Sequence, residues 1–203
     1  MSDLAENHQT LEPAVQRVPN SRYVLLLTLM VLMVTAGTLR GMGRAWWCQC
    51  GEPRLFISDT HSSHNSQHLL DPYTFSHVQH GVIFFGVLAL LAPGLSRVVR
   101  LGAAVTVECG WEVLENTSWI IEKYRESTLS LEYYGDTVVN SMSDITACAL
   151  GYCIAALVPV SVSVLGLVTI EITMLLTIRD SLLLNVLMLI HPIEAIKTWQ
   201  LAG

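Results

Sequence analysis

ITACALGYCIAALVPVSVSVLGLVTIEITMLLTI, residues 145–178, runs for thirty-four residues with one charge, Glu171. A hydrocarbon core ~30 Å thick is crossed by about twenty helical residues at ~1.5 Å each, so this stretch is too long for a single span. Pro159 removes a backbone donor and interrupts a helix near the middle of the run. The reading is therefore two spans, 137–157 and 160–178, joined by a tight turn over 158–161. An apolar helical pair of this kind places the chain among polytopic membrane proteins.

Working outward, the whole chain has the same character. Of 203 residues, 52% are hydrophobic and 14% charged, about half the charge of a soluble domain. Further spans are read at 23–39, 76–92 and 101–121, and the residues before them, 1–22, as a polar, disordered arm. The arm is too long and polar for a signal peptide's basic region, and Arg40 follows the first apolar run, so that span is expected to stay in the mature chain. Residues 181–196 are read as an interfacial helix or a short sixth span, because Leu182–Ile190 is apolar for only nine residues. The expected fold is an all-α membrane bundle of five or six helices, one domain over 23–203, multi-pass in a cell membrane. A net charge of −6 with scattered Lys and Arg speaks against nucleic acid as a partner.

With two crossings between each and the next, segments 40–76, 122–136 and the residues after Ile178 share one face. The polar residues inside the spans gather towards it. His77 and His80 stand one turn apart near the start of the second span. Glu108, Glu112 and Glu115 fall at roughly 0°, 40° and −20° around the third helix, one narrow stripe. Asp136, Asn140 and Asp144 open the fourth, and Glu171 enters the fifth from the same side. An acid near the bilayer centre costs ~2.5–3.5 kcal/mol on insertion scales, so these groups should meet each other, water or a cation. Glu108, Glu112, Glu115, Asp136, Asp144 and Glu171 outnumber Lys123, Arg125 and Arg179, the basic side chains near that face.

This donor set suggests a divalent cation, zinc, manganese or iron, held by His77, His80, Glu112, Glu115, Asp136 and Asp144. Glu108 or Glu171 would then be a general base, with Arg125, Asn140 and Arg179 binding substrate. A hydrogen-bonded structural core is the competing account. His61, His64 and His68 read as a solvated loop rather than a second metal patch. Cys48-Gln-Cys50 is not CxxC and reads as reduced thiols, or as one partner for a distant cysteine; Cys109, Cys148 and Cys153 read as packing residues. Trp46, Trp47, Trp111, Trp119, Tyr133 and Tyr134 suit interfacial anchoring. Ser76 beside His77 is a weak candidate nucleophile, and no nucleophile elbow, phosphate loop or dinucleotide fingerprint is present.

Several segments carry a resemblance: Trp46-Trp47-Cys48 with Cys50-Gly51, Asn65-Ser66-Gln67-His68, Asp71-Pro72-Tyr73-Thr74-Phe75-Ser76-His77-Val78-Gln79-His80-Gly81, Trp111-Glu112-Val113-Leu114-Glu115-Asn116, Tyr134-Gly135-Asp136 and Asn140-Ser141. On these the chain resembles, over about residues 40–200, a provisionally named family of uncharacterised bacterial inner-membrane proteins. Ser181 stands where that family's pattern has an Asn. The resemblance implies a multi-pass inner-membrane location and brings no reaction. A fainter likeness is to VanZ-like membrane proteins, in which Asp and His open one helix, Glu ends the next, and Asp and Asn open a third. The expectation drawn from all of this is a metal-dependent hydrolase or transferase acting on a lipid or amphipathic substrate. The alternative is a non-enzymatic module that binds or passes a small solute or ion, or an accessory subunit of a membrane complex.

Overall fold

The computed structural model describes residues 21–52, 54–128 and 130–202. The polar arm therefore lies outside the described residues, apart from Ser21 and Arg22, which begin the first helix. Eight helices are present among the described residues: α1 Ser21–Gly41, α2 Thr74–Leu91, α3 Arg97–Glu115, α4 Ser118–Ser127, α5 Val138–Leu157, α6 Val160–Ile178, α7 Leu182–Ile190 and α8 Glu194–Leu201. No strand forms among them; a single isolated bridge joins Phe56 and Leu70. The class expected from sequence, all-α, is the class observed.

Four helices, α1, α2, α5 and α6, are long and apolar enough to cross a membrane. The third expected span differs in its limits. α3 begins at Arg97, where the Ser96 hydroxyl accepts from Val99 N, and stops at Glu115 rather than continuing to 121. Asn116 closes it, and the Thr117 hydroxyl accepts from Ile120 N to start α4, so an Asn-Thr-Ser run is a stop followed by a cap. The 181–196 segment is not one helix either. It breaks at His191-Pro192, and the nine residues of α7 extend only ~14 Å, too short for a sixth crossing.

α5 is the central helix, packed against α1, α2, α3 and α6. Its closest neighbour is α2, and glycine is the reason. A Cβ at Gly81 would overlap the Cys148 carbonyl, and one at Gly151 would overlap the Val78 carbonyl. The two backbones therefore touch, as small residues permit between helices that gain little from apolar burial alone. α1 and α6 carry the outer surface: Leu26, Met33, Val34, Leu165 and Leu176 are exposed, and Met174 is the one buried side chain of α6.

The C-terminus of α1, the N-termini of α2 and α5 and the C-termini of α3 and α6 meet at one end, which is the polar face inferred from topology. There the α1–α2 loop, residues 42–73, folds over the start of α5. Ala45 O accepts from Val138 N at 2.9 Å, Trp46 O from Val139 N at 3.2 Å and Ser66 O from Thr137 N at 3.0 Å. Gln67 Nε2 donates to Gly135 O at 2.7 Å, and Arg44 Nη1 donates to Tyr134 O.

Candidate active site

Beneath that loop lies a cavity of about 250 Å³. The α2–α5 crossing sets one side of it, bringing His77 against Asp144, while the α3 stripe supplies the other. Glu108, fully buried, accepts from His77 Nδ1 at 2.5 Å and from His80 Nδ1 at 3.0 Å. One carboxylate thus orients both imidazoles and leaves the opposite nitrogen of each ring available. His77 Nε2 lies 3.9 Å from Asp144 Oδ2, and His77 Nδ1 lies 3.4 Å from Glu112 Oε1.

Donor atoms fall into three overlapping triplets, each with its atoms within 4.8 Å of one another: His77, His80 and Glu108; His77, Glu112 and Asp144; Glu112, Glu115 and Asp136. All six residues expected to hold a cation are therefore brought together, and Glu108 joins them. Glu112 is 1% exposed, and neither of its carboxylate oxygens has a hydrogen-bond partner; Asp144 Oδ1 is unpartnered as well. A buried ionised carboxylate left in this condition is strongly disfavoured, so the site calls for a cation or protons.

Lys and Arg side chains do not supply that charge. Among the described residues lining the cavity there is no Lys or Arg. Lys123 Nζ donates to Leu189 O at 2.9 Å, Arg125 stacks over the Tyr134 ring at 4.9 Å, and Arg179 Nη1 donates to Trp199 O at 2.8 Å. Arg125 and Arg179, expected at the substrate, thus lie apart from the cavity. Glu171 does too: it accepts from Gln79 Nε2 at 2.9 Å and Leu183 N at 3.3 Å, tying α2 and the start of α7 to α6. Asn140 is buried behind the wall, where Nδ2 donates to Asp71 Oδ2 at 3.4 Å. The Ser76 hydroxyl faces Met174 Sδ at 3.7 Å.

Loops and short helices complete the wall and its supports with residues to which the sequence reading gives other roles or none. Tyr133, expected as an interfacial anchor, is buried and donates its hydroxyl to both Asp136 oxygens at 3.1 Å. Asn116 Nδ2 donates to Asp136 Oδ2 at 2.7 Å, while Asn116 Oδ1 accepts from Asp136 N at 2.8 Å. Burial pushes the Asp136 carboxyl up to about 6 against these stabilising hydrogen bonds. Asp71, also raised by burial, accepts from Tyr73 N at 2.7 Å and Ser66 N at 3.1 Å and so fixes the chain entering α2. Asp180 accepts from the Tyr73 hydroxyl at 3.0 Å, and burial raises it to about 6. Trp111 meets the His80 ring edge-on, with centroids 6.3 Å apart. In the sequence, the signals for these partners were the Tyr-Gly-Asp and Trp-Glu…Glu-Asn runs.

The opposite wall is apolar: Phe84, Val107, Leu182 and Val186 line it, and Val107 and Val186 also lie on the outer surface, 55% and 40% exposed. The cavity accordingly offers carboxylates and imidazoles on one side and an apolar flank continuous with the exterior on the other.

Comparison with known proteins gives the chain's family. A UPF0314 protein of Paracoccus denitrificans is 48% identical over 175 residues, covering 86% of this chain and 91% of the relative. A UPF0314 protein of Brucella anthropi is 42% identical over 200 residues, 98% of each chain, and one of Sinorhizobium fredii is 43% identical over 176 residues, 87% of this chain and 89% of the relative. No solved structure matches the chain. The profile of a family described as protein of unknown function (DUF2585) matches residues 39–202, and the chain belongs to that uncharacterised family.

Proposed function

We propose that this chain is a multi-pass protein of the bacterial inner membrane and a metal-dependent hydrolase or transferase acting on a lipid or other amphipathic substrate. In this reading α3 is a fifth crossing, its Glu108 and Glu112 turned inward and Arg97 and Arg100 at the end opposite the cavity. α4, α7 and α8 then lie at the polar face. The observation that carries the metal is Glu112, buried with both oxygens unpartnered close to Asp144, whose Oδ1 is unpartnered too, beside a cavity whose described lining has no Lys or Arg.

His77, Glu112 and Asp144 would hold the cation, with Glu115 and Asp136 on its far side. A set this rich in carboxylate favours manganese or iron over zinc. Glu108 is better suited to orient His77 and His80 than to act as a base, since both imidazoles already occupy it. A cation held there would supply Lewis-acid activation of a water, and the Asp136 carboxylate, oriented by Tyr133 and Asn116, would accept the proton. The apolar flank through Val107 and Val186 would seat an acyl chain, leaving the head group against the carboxylates.

Purification in detergent without chelator, followed by elemental analysis, tests the metal. Wild type should carry a manganese or iron ion that Glu112→Gln loses, and wild type alone should release water-soluble products from vesicles of bacterial polar lipids. Metal content identical in the two proteins would overturn the assignment. A non-enzymatic ion-binding module would keep the Glu112-dependent metal and release nothing, which separates the two classes.

A further inference from the structure

A second group of donors lies outside this cavity, in the α1–α2 loop. Cys48, Cys50, His64 and His68 offer ligand atoms that all fall within 4.8 Å of one another. Cys48 Sγ is 3.5 Å from His64 Nδ1, and Cys50 Sγ is 3.9 Å from His68 Nε2. Two sulfurs at about 2.3 Å and two nitrogens at about 2.0–2.1 Å from one tetrahedral zinc lie roughly 3.3–3.8 Å from each other, so the first contact falls in that range and the second needs to close by only a few tenths of an ångström.

The spacing agrees with the geometry. Cys48-x-Cys50 is followed after thirteen residues by His64-x₃-His68. Separations of 12–15 and 3–5 residues are those of zinc-binding Cys₂His₂ segments, and only the Cys pair is one residue short. A continuous helix through the histidines is not used; turns around Ser62 and His64 bring them to the cysteines instead, where Asn65 N donates to Ser62 O at 3.0 Å. The surroundings also fit a staple. The loop has no helix or strand of its own over residues 42–73 among the described residues, a length that compact proteins usually reserve for function or cross-link. His68 is 1% exposed, its Nδ1 is unpartnered, and Trp47 packs edge-on against its ring with centroids 6.2 Å apart. All five cysteines are free, so no disulfide competes for the pair.

We propose that Cys48, Cys50, His64 and His68 form a structural zinc site that fastens the α1–α2 loop over the mouth of the cavity. The soft sulfur and nitrogen set selects zinc, whereas the carboxylates below take a harder ion. Neighbouring residues transmit the fastening, since Ala45 and Trp46 on one side and Ser66 and Gln67 on the other bond to the start of α5.

The full chain, purified in detergent with zinc present and chelator absent, provides the test by zinc K-edge absorption spectroscopy. One zinc per chain should show a sulfur shell at about 2.3 Å. Cys48→Ser with Cys50→Ser should abolish that shell, while His77→Ala should leave it intact. A second measurement needs only wild type: alkylation mapped by mass spectrometry should find Cys50 protected on the order of tenfold by zinc and released by chelator. A zinc spectrum without sulfur, or Cys50 alkylated equally with and without zinc, would overturn the site. Neither result bears on the Glu112-dependent metal of the cavity.

Discussion

Two regions at the same end of the molecule collect metal-binding side chains, and they differ in almost every physical respect. The bundle group is built on α2, α3 and α5, buried, rich in carboxylate, and positioned by helices whose own packing is independent of it. The loop group is sulfur and imidazole, borne on a segment with little regular structure, where Cys50 remains exposed. A site held by rigid helices can tolerate an empty, protonated state, because the scaffold survives without the ion. A site that gathers a loop around itself couples binding to folding of that loop. The contrast assigns chemistry to the bundle group and fastening to the loop group.

The largest expected effect comes from breaking the scaffold of the first region alone. Gly81→Leu drives a side chain into the backbone of α5 at Cys148, where no rotamer can relieve the overlap. Overpacking typically costs ~1–3 kcal/mol, and a clash with backbone lies at or beyond the upper end. Monodisperse yield in detergent should collapse. Gly86→Leu on the same helix, with nothing within 4 Å of its Cβ position, should be tolerated. Equal yields would show that the α2–α5 crossing does not position His77 against Asp144.

The two regions also differed in how readily they could be read. The bundle's charges stood out because helical periodicity places Glu108, Glu112 and Glu115 on one stripe and insertion energetics makes such acids conspicuous. That reasoning groups His77, His80, Asp136 and Asp144 with them, and in the fold their donor atoms fall in overlapping triplets. It also groups Glu171 with them as a candidate base, yet depth in the membrane does not say which neighbour a helix face meets, and α6 turns Glu171 to Gln79. Arg125 and Arg179 are expected at an anionic head group, yet each lies over a local aromatic ring instead. In the loop, His64 and His68 have no helical periodicity to make them conspicuous, because the segment is built of turns. The fold's class was legible from apolar runs; the break at Asn116 was not, because an Asn-Thr pair was read through rather than as a stop and cap.

A smaller effect is confined to the polar face. Asp180 is buried, and its folded-state value of about 6 lies above the 3.8 of an unperturbed aspartate. The folded state therefore binds this proton more tightly than the unfolded state. Its contribution is fully present below about pH 4 and is lost as pH rises to about 6, a change of ~3 kcal/mol at 1.36 kcal/mol per unit. Thermal unfolding in detergent should show the protein more stable at pH 5 than at pH 7, and Asp180→Asn should reduce that difference. An unchanged pH dependence in the variant would show that Asp180 is not the group responsible. Because Asp180 holds Tyr73 and Asn185, both cavity residues, the effect belongs to the bundle region and should leave zinc in the loop untouched.

The smallest effect sharpens the comparison most selectively. Ser181 caps α7, its hydroxyl accepting from Leu184 N at 3.3 Å, and α7 carries Leu182, Asn185 and Val186 into the cavity wall. Ser and Asn are near-equal caps, so Ser181→Asn should be neutral. Ser181→Ala removes the acceptor and should cost ~1 kcal/mol, seen as a small drop in unfolding temperature. Loosening α7 opens one wall of the cavity without touching the α1–α2 loop. The off-rate of the cavity metal should then rise while alkylation of Cys50 in zinc-loaded protein stays slow. If both changed together, the loop and the bundle would be one cooperative unit, and the division of labour between chemistry and fastening would fail.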